Sequence, residues 1–386
     1  MSDPRTSVHP AYEASKNLYA KGNRAAAIET LRAAISQEPG RMLLHDELGH
    51  ALTFQHDYWH NPEQTQALLE DGTIDAALDA WFRALDLGLE SHWTEFNIGH
   101  ALTCKGEFER AARHIRRATD LRTAQHFPEV AQMDPAGGEV RGPDFICIGA
   151  TKCGTTSLYE YLRHHPQVLP AVWKEIEYFR FPERGPDWYL AHFPRIPRGG
   201  PRFVSGEAST CYMSIYDAKS LIRAAHPDVR LLALVRDPVG KTISHCHHDR
   251  SIGCESRSME EAITEELDIL EALADPWGDA EEYWKTQRGY VWLSLYSYFL
   301  ENWLTEFPRE QLLVIPSEDL YADPASTLSK VYAHLDLPDH RMEDYEVHLR
   351  GSYDREKTPI QDRLSRFFAP HNRRLEDLLG RQLHWQ

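Results

Sequence analysis

Apolar residues recur at helical spacing three times in the first third of the chain, and each recurrence follows a glycine. After Gly22 come Ala26, Ala27, Ile28, Leu31 and Ile35; after Gly72 come Ala76, Ala77, Leu78, Trp81 and Leu85; after Gly106 come Ala111, Ala112, Ile115 and Ala118. One apolar stripe on each segment predicts amphipathic helices packed in pairs, and the small residues at the first positions let partners approach closely. Leu48-Gly49-His50-Ala51-Leu52-Thr53 returns as Ile98-Gly99-His100-Ala101-Leu102-Thr103, which marks an internal repeat. Gly72 and Gly106 stand 34 residues apart while Gly22 and Gly72 stand 50 apart, so one repeat carries an insertion of 16. That insertion is expected between residues 54 and 71, where Asn61-Pro62 interrupts the helical pattern.

The helical pattern lapses from about residue 125 to 142, where Pro128, Pro135, Gly137, Gly138 and Gly142 mark a boundary. Beyond it, residues 145–148, 231–235 and 312–315 are short continuous apolar runs separated by helical text. Such runs suit strands buried on both faces of a parallel sheet. The expected organisation is an all-α repeat domain over residues 1–126, a linker over 127–142, and an α/β domain over 143–386 with a central parallel sheet flanked by helices.

A chain of 386 residues with 42% hydrophobic and 11% aromatic residues has enough apolar material for two packed cores. Its formal net charge of −17 excludes a nucleic-acid or heparin-like binding surface spread over the whole protein, so an anion site must be local. Cys104, Cys147, Cys153, Cys211, Cys246 and Cys254 lack the spacing of a small disulfide scaffold, which favours reduced thiols. The first residues carry no apolar signal-like run, and no run is long enough to span a bilayer. A cytoplasmic protein without a membrane span is expected. Between residues 255 and 285 acids outnumber Arg257 and Lys285, as on a solvated helix face or on a lid that meets a cationic or amine-bearing acceptor.

The chemistry begins at Phe145-Ile146-Cys147-Ile148-Gly149-Ala150-Thr151-Lys152-Cys153-Gly154-Thr155-Thr156-Ser157, which reads as a strand, a glycine turn and a helix start. Backbone N–H groups and a helix N-terminus in this arrangement cradle an anion. A triphosphate loop places Lys-Ser/Thr after the second glycine, so that lysine reaches the outer phosphates and the hydroxyl holds magnesium. Here Thr155-Thr156 follows Gly154 and the lysine sits inside the loop as Lys152, which suits a shorter anionic chain and a metal-free transfer.

From this loop onward the sequence resembles the sulfotransferases that use 3′-phosphoadenosine 5′-phosphosulfate (PAPS), the heparan-sulfate type more than the small-phenol type. The resemblance covers residues 143–386. It continues through Lys174-Glu175-Ile176-Glu177-Tyr178-Phe179, the aromatic stretch Gly185-Pro186-Asp187-Trp188-Tyr189-Leu190-Ala191-His192-Phe193-Pro194, and Leu234-Val235-Arg236-Asp237-Pro238 with Ser244. Tyr296-Ser297-Tyr298-Phe299-Leu300-Glu301-Asn302-Trp303-Leu304 and the C-terminal stretch from Phe368 to Trp385 are similar too. The N-terminal period resembles tetratricopeptide repeats, which implies a partner- or substrate-binding superhelix.

The resemblance assigns roles residue by residue. Backbone amides of Cys153, Gly154, Thr155, Thr156 and Ser157, with the threonine hydroxyls, would hold the 5′-phosphate, and Lys152 would both bind the phosphosulfate and follow charge onto the leaving oxygen. Arg236 and Ser244, either side of a strand-to-helix turn at Asp237-Pro238, would take the 3′-phosphate, since a guanidinium binds phosphate in a bidentate manner. Arg355 and Lys357 resemble a basic loop that closes over it. Glu175 is the expected base, partly desolvated by Trp173, Tyr178 and Phe179. Alternation along a short strand would send Glu175 and Glu177 to one face, so periodicity leaves Glu177 open as the runner-up. The chain departs from the family at Gly206-Glu207-Ala208-Ser209-Thr210, where Ala208 stands at the position of a second catalytic lysine; either Lys152 suffices alone, or Lys174 or Lys241 substitutes. His245-Cys246-His247-His248 and Cys254 could suggest a metal, but consecutive helical residues point in different directions, and no metal is expected.

The reading implied is a sulfotransferase that takes PAPS as co-substrate and acts on a hydroxyl or amine of a glycan, lipid-linked sugar, peptide or specialised metabolite. No nucleic acid is expected as partner, and a protein partner on the repeats is. Because every cofactor residue lies after Gly142, the repeats are expected to be separable from the chemistry. The alternatives are a repeat scaffold with a nucleotide-binding but inactive second domain, which Ala208 favours, and a P-loop kinase, which the residues after Gly154 oppose.

Overall fold

A computed structural model describes residues 8–53, 62–133, 137–273, 289–346 and 359–385. Along the chain lie α1 (Pro10–Ala20), α2 (Arg24–Gln37), α3 (Met42–Thr53), α4 (Pro62–Glu70), α5 (Thr73–Asp86), α6 (His92–Cys104), α7 (Phe108–His126) and α8 (Pro128–Met133). Next come β1 (Phe145–Gly149), α9 (Thr155–Arg163), β2 (Val168–Pro170), α10 (Pro186–Leu190), β3 (Val204–Ala208), α11 (Ala218–Ala225), β4 (Arg230–Val235) and α12 (Pro238–Ser251). The remainder is α13 (Met259–Ala272), α14 (Tyr296–Trp303), β5 (Leu312–Pro316), α15 (Ser317–Ala322), α16 (Pro324–His334) and α17 (Pro359–Leu379). Two compact units result, Met1–Val140 with Glu183–Arg198, and Arg141–Pro182 with Gly199–Gln386.

In the helical unit the three stripes after Gly22, Gly72 and Gly106 form α2, α5 and α7. Successive helices pack in pairs, α1 on α2, α3 on α5 and α6 on α7. Leu31, Ala34, Leu44 and Ala51 are buried together, with Tyr12, Ile28, Ile35 and Leu48 packed around them. The insertion carries a helix of its own, α4, which begins at the expected break Asn61-Pro62; residues 54–61 lie outside the described ones. The repeated glycine has one physical purpose in both copies. A Cβ on Gly49 would stand 2.3 Å from Nε1 of Trp81 in α5, and one on Gly99 would stand 2.5 Å from Cγ1 of Ile115 in α7. Each pair of helices therefore closes at a point where no side chain fits. Gly99→Ala is expected to destabilise the protein by about 1–3 kcal/mol through overpacking, read from denaturant unfolding of the full chain.

One expected boundary moves. The aromatic stretch that the family resemblance places inside residues 143–386 leaves the sheet unit: residues 183–198, with α10, pack on α6 and α7. The reason is local, since Trp188 finds the partner for its indole N–H on Thr103 at 2.8 Å.

The second unit is built on a five-stranded parallel sheet in the order β2-β3-β1-β4-β5. β1 is buried at every position, as a central strand covered on both faces must be. Phe145 pairs with Gly206 on one side and Arg230 on the other. From β1 the chain moves toward β3 and β2, and from β3 it crosses to β4, so the switch point, where open α/β sheets place their ligand crevice, lies beyond the carboxyl ends of β1 and β4. The apolar runs marked β1, β4 and β5. β3, Val-Ser-Gly-Glu-Ala, carries no such signal, yet all five residues are buried. Its Glu207 is tolerated because Oε2 accepts from the Ser209 hydroxyl at 2.5 Å and Oε1 from the Tyr212 hydroxyl at 3.3 Å. Among the described residues no helix is long and apolar enough to cross a membrane, and the six cysteines are unpaired.

Candidate active site

β1 ends at Gly149 and α9 starts at Thr155, so residues 150–154 form the loop at the mouth of the crevice. Lys152 and Gly154 both take left-handed backbone, φ 65 and 86, which turns successive amides toward one side. A Cβ at Gly154 would also stand 2.5 Å from the Tyr321 hydroxyl, so glycine is required there twice over. The loop is tied down from below. Ala150 N–H donates to Leu234 O at 2.8 Å, and the Ser317 hydroxyl bridges Cys153 O at 2.6 Å and Val235 O at 3.0 Å. Ser317, at the start of α15, has no sequence signal of its own; it is a latch between loop and sheet that pattern reading passed over.

These contacts sort the loop residues. The Cys153 amide donates to Ala150 O at 3.2 Å and its buried thiol faces the Tyr296 hydroxyl at 3.4 Å, burial pushing the thiol up to about 11. Ser157 is fully buried, and its hydroxyl serves Tyr161 and Tyr321. The first-turn amides of α9 have no acceptor within the helix, the arrangement in which a helix N-terminus can receive an anion. Lys152 is half-buried, and desolvation holds its ammonium below the ordinary lysine range; Asp249 opposes that shift and Arg236 adds to it.

Arg236 closes the other flank. Its Nη1 donates to Lys152 O at 3.3 Å, so the residue expected at the 3′-phosphate is physically joined to the glycine loop. Asp237 caps α12 by accepting from Val239 and Gly240 N–H at 3.3 and 2.9 Å. A Cβ on Gly240 would stand 3.5 Å from Arg236 Nη2, which places the guanidinium along the first turn of α12. Ser244 follows Gly240 by one helical turn and shares its face. Arg355 and Lys357 lie outside the described residues.

The two glutamates separate here, and the expected strand does not form. Residues 174–177 are irregular, with left-handed φ of 62 at Glu175 and 54 at Glu177, so strand alternation never applies. The Glu175 amide donates to Ala208 O at 2.9 Å. Its carboxylate accepts from Thr210 N–H at 2.8 Å and pairs with Lys174. The Thr210 hydroxyl is also 3.2 Å from the Thr151 hydroxyl, which links Glu175 to the glycine loop. Glu177 instead precedes a short 3-10 turn at Tyr178–Arg180 and pairs with Arg180 at 3.2 Å. The Glu175 oxygens have polar partners in Thr210 and Lys174, and Phe179 turns to Tyr212 and His226.

The sulfotransferase domain family matches residues 142–366, more than half of the chain and the whole of this loop and sheet. The chain belongs to the sulfotransferase family. This sulfotransferase is 26% identical over 314 residues to the membrane-associated sulfotransferase kil1 of Dictyostelium discoideum, covering 63% of this chain and 66% of that one. It is 28% identical over 276 residues to the human heparan sulfate glucosamine 3-O-sulfotransferase 6, covering 64% of this chain and 75% of that one. A sulfotransferase crystal structure from Alicyclobacillus acidocaldarius superposes with a TM-score of 0.51 at 28% identity, over 63% of this chain and 98% of that one. The chain is thus a transferase enzyme of α/β fold.

Around the sulfotransferase loop, Lys241 and Lys174, the residues expected to stand in for a second lysine, differ in access. Lys241 is completely buried, its Nζ donating to Tyr290 O at 3.3 Å and 3.5 Å from His245 Nδ1, with burial pulling it down to about 8. Lys174 is partly open, and its neighbour Glu175 bonds directly to Ala208. Part of the acidic run also supports the fold, because buried Glu266 accepts from Tyr290, Val291 and Trp292 N–H at 2.7, 3.0 and 2.7 Å. Other members of the run meet arginines, Glu265 with Arg257 and both Asp268 and Glu271 with Arg363, each pair at 2.6 Å; residues 274–288 lie outside the described ones. Among the described residues no group of His, Cys, Asp and Glu is placed to hold a metal ion, and His245 lies instead 3.8 Å from Asp249.

Proposed function

We propose that the chain moves the sulfuryl group of PAPS to a hydroxyl or amine acceptor by in-line displacement without a metal. The observation that carries this reading is the join between the glycine loop and Arg236, because one site then offers amides for a 5′-phosphosulfate and a guanidinium for a second phosphate. In the step proposed, Glu175 takes the acceptor proton, the acceptor atom forms its bond to sulfur, and the bond from sulfur to the bridging oxygen breaks. Adenosine 3′,5′-bisphosphate leaves, and Lys152 neutralises the charge arriving on its phosphate. Glu175 is favoured over Glu177 because its carboxylate reaches the loop through Thr210, whereas Glu177 is engaged with Arg180. Lys174, beside Ala208 and on Glu175, is our candidate for the second cation.

The acceptor would be a hydroxyl or amine on a glycan, lipid-linked sugar, peptide or specialised metabolite. A chain of net charge −17 disfavours one that is already a dense polyanion. The helical unit is read as tetratricopeptide-like, on the shared period and the shared glycine contact. The second reading, a nucleotide-binding domain without turnover, rests on Ala208 alone, and transfer of label from PAPS to an acceptor pool decides between them. The cofactor assignment has its own test. Adenosine 3′,5′-bisphosphate should raise the thermal midpoint equally with and without chelator; greater stabilisation by ATP with magnesium would sink the assignment.

A further inference from the structure

We infer that the helical unit clamps residues 183–198 and that Arg116 is a positioning residue for transfer, holding in place the stretch that follows the Glu175 loop. The inference rests on the reading of Glu175 given above. α10 has five residues, too few to persist alone, and its last carbonyls need donors from elsewhere. α7 supplies them. Arg116 Nη1 donates to Phe193 O at 2.6 Å and Nη2 to Leu190 O, while the Thr119 hydroxyl lies 2.8 Å from Ala191 O and 2.9 Å from Ile115 O. Burial pulls the Arg116 guanidinium down to about 10, which still leaves it charged at neutral pH. Asp120 stands 3.9 Å from Arg116 and 3.3 Å from Arg195, tying the guanidinium to the same segment a second time.

The rest of the segment is held as closely. Trp188, 2% exposed, donates to Thr103, with the Arg184 guanidinium 4.9 Å from its ring centre. His192 is buried against Trp188 and edge-on to Phe96, its Nδ1 2.9 Å from Trp188 O, and burial pushes it down to about 3, so it stays neutral. At the far end Ile196 and Glu139 exchange both backbone bonds, at 2.9 and 2.8 Å. Eight residues upstream of Glu183 lies Glu175, in a loop with two non-glycine residues in left-handed backbone. Such conformations cost about 1–3 kcal/mol each and persist only when the surroundings over-determine them. On one side the Glu175 loop is fixed by Ala208 and Thr210; on the other the chain passes Glu177, whose N–H donates to the Ser209 hydroxyl at 3.0 Å, and Phe179, which lies against Tyr212, before it enters the clamped segment. The face of α6 and α7 that could have received a partner peptide is occupied by this chain's own residues 183–198.

The test uses the full-length protein. Arg116→Ala should lower kcat about tenfold, as expected for a displaced catalytic group, with the KM for PAPS unchanged. Amide exchange should accelerate in residues 183–198 and not in β1 or α9, and Arg116→Lys should recover most of kcat. Thr103→Val, which removes the acceptor of the Trp188 N–H together with the hydroxyl's own bond to Gly99 O, should lower kcat in the same direction and covers the case in which Arg116→Ala does not fold. Faster exchange in 183–198 with unchanged kcat would overturn the inference. So would a loss of bisphosphate affinity matching the loss of kcat, because Arg116 would then only support the fold. If Glu175→Gln keeps full turnover while Arg116→Ala loses it, the base assignment falls and the clamp stands.

Discussion

Replacing Glu175 with glutamine is expected to lower turnover by about 10²–10⁴-fold, the usual cost of losing a general base, while affinity for adenosine 3′,5′-bisphosphate stays nearly unchanged. Glutamine keeps the length of the side chain and can still accept from Thr210 N–H, so the loop backbone should keep its place. What disappears is the site that takes the acceptor proton, and with it the pairing to Lys174. Glu177→Gln removes only a contact to Arg180 at a short turn and should cost little. Turnover of both variants at saturating PAPS with one established acceptor is the measurement. A Glu175→Gln protein as active as the parent, beside an inactive Glu177→Gln protein, would reverse the assignment.

Deleting the helical unit is expected to abolish soluble, active protein, contrary to the separability that the order of motifs alone suggests. A chain that starts near Gly138 retains Trp188 and His192, 2% and 1% exposed in the intact protein, but loses Thr103 and Phe96 against which they lie. It also loses Arg116 and Thr119, the donors to the carbonyls of Leu190, Ala191 and Phe193. Burying a large side chain is worth about 1.5–3 kcal/mol, so exposing this cluster removes a large part of a typical domain's margin. Expression of the truncated chain, followed by limited proteolysis of the soluble fraction, checks it. A soluble truncated protein with residues 183–198 protected and bisphosphate binding intact would show that the sheet unit holds the segment by itself.

Much of this protein is legible in its pattern. The three glycine-led stripes are α2, α5 and α7, and the apolar runs are β1, β4 and β5, because helices and buried central strands write their period directly into the chain. β3 was hidden because its burial is made acceptable by side-chain partners, Ser209 and Tyr212, that belong to no visible periodicity. The glycine loop was legible in spacing, since two glycines and a lysine between strand and helix describe backbone geometry. Which amides face the mouth was not, because the internal bond from Cys153 to Ala150 depends on how the turn closes.

The sequence by itself determined the repeat, the parallel α/β unit, the phosphate-type loop without a magnesium-binding pair, and the candidates Lys152, Arg236 and Glu175. The loop and the candidates are set by residues within a turn or two of one another, and the repeat and the strands by patterns that recur along the chain. Only the tertiary structure linked the Glu175 carboxylate to the loop through Thr210 and Glu177 to Arg180, joined Arg236 to Lys152 across 84 positions, and moved residues 183–198 onto the helical unit. Those outcomes turn on left-handed backbone and on donors such as Thr210 and Arg116 that are distant in sequence. A hydrogen bond between remote segments leaves no period in the chain, so folding alone reveals it.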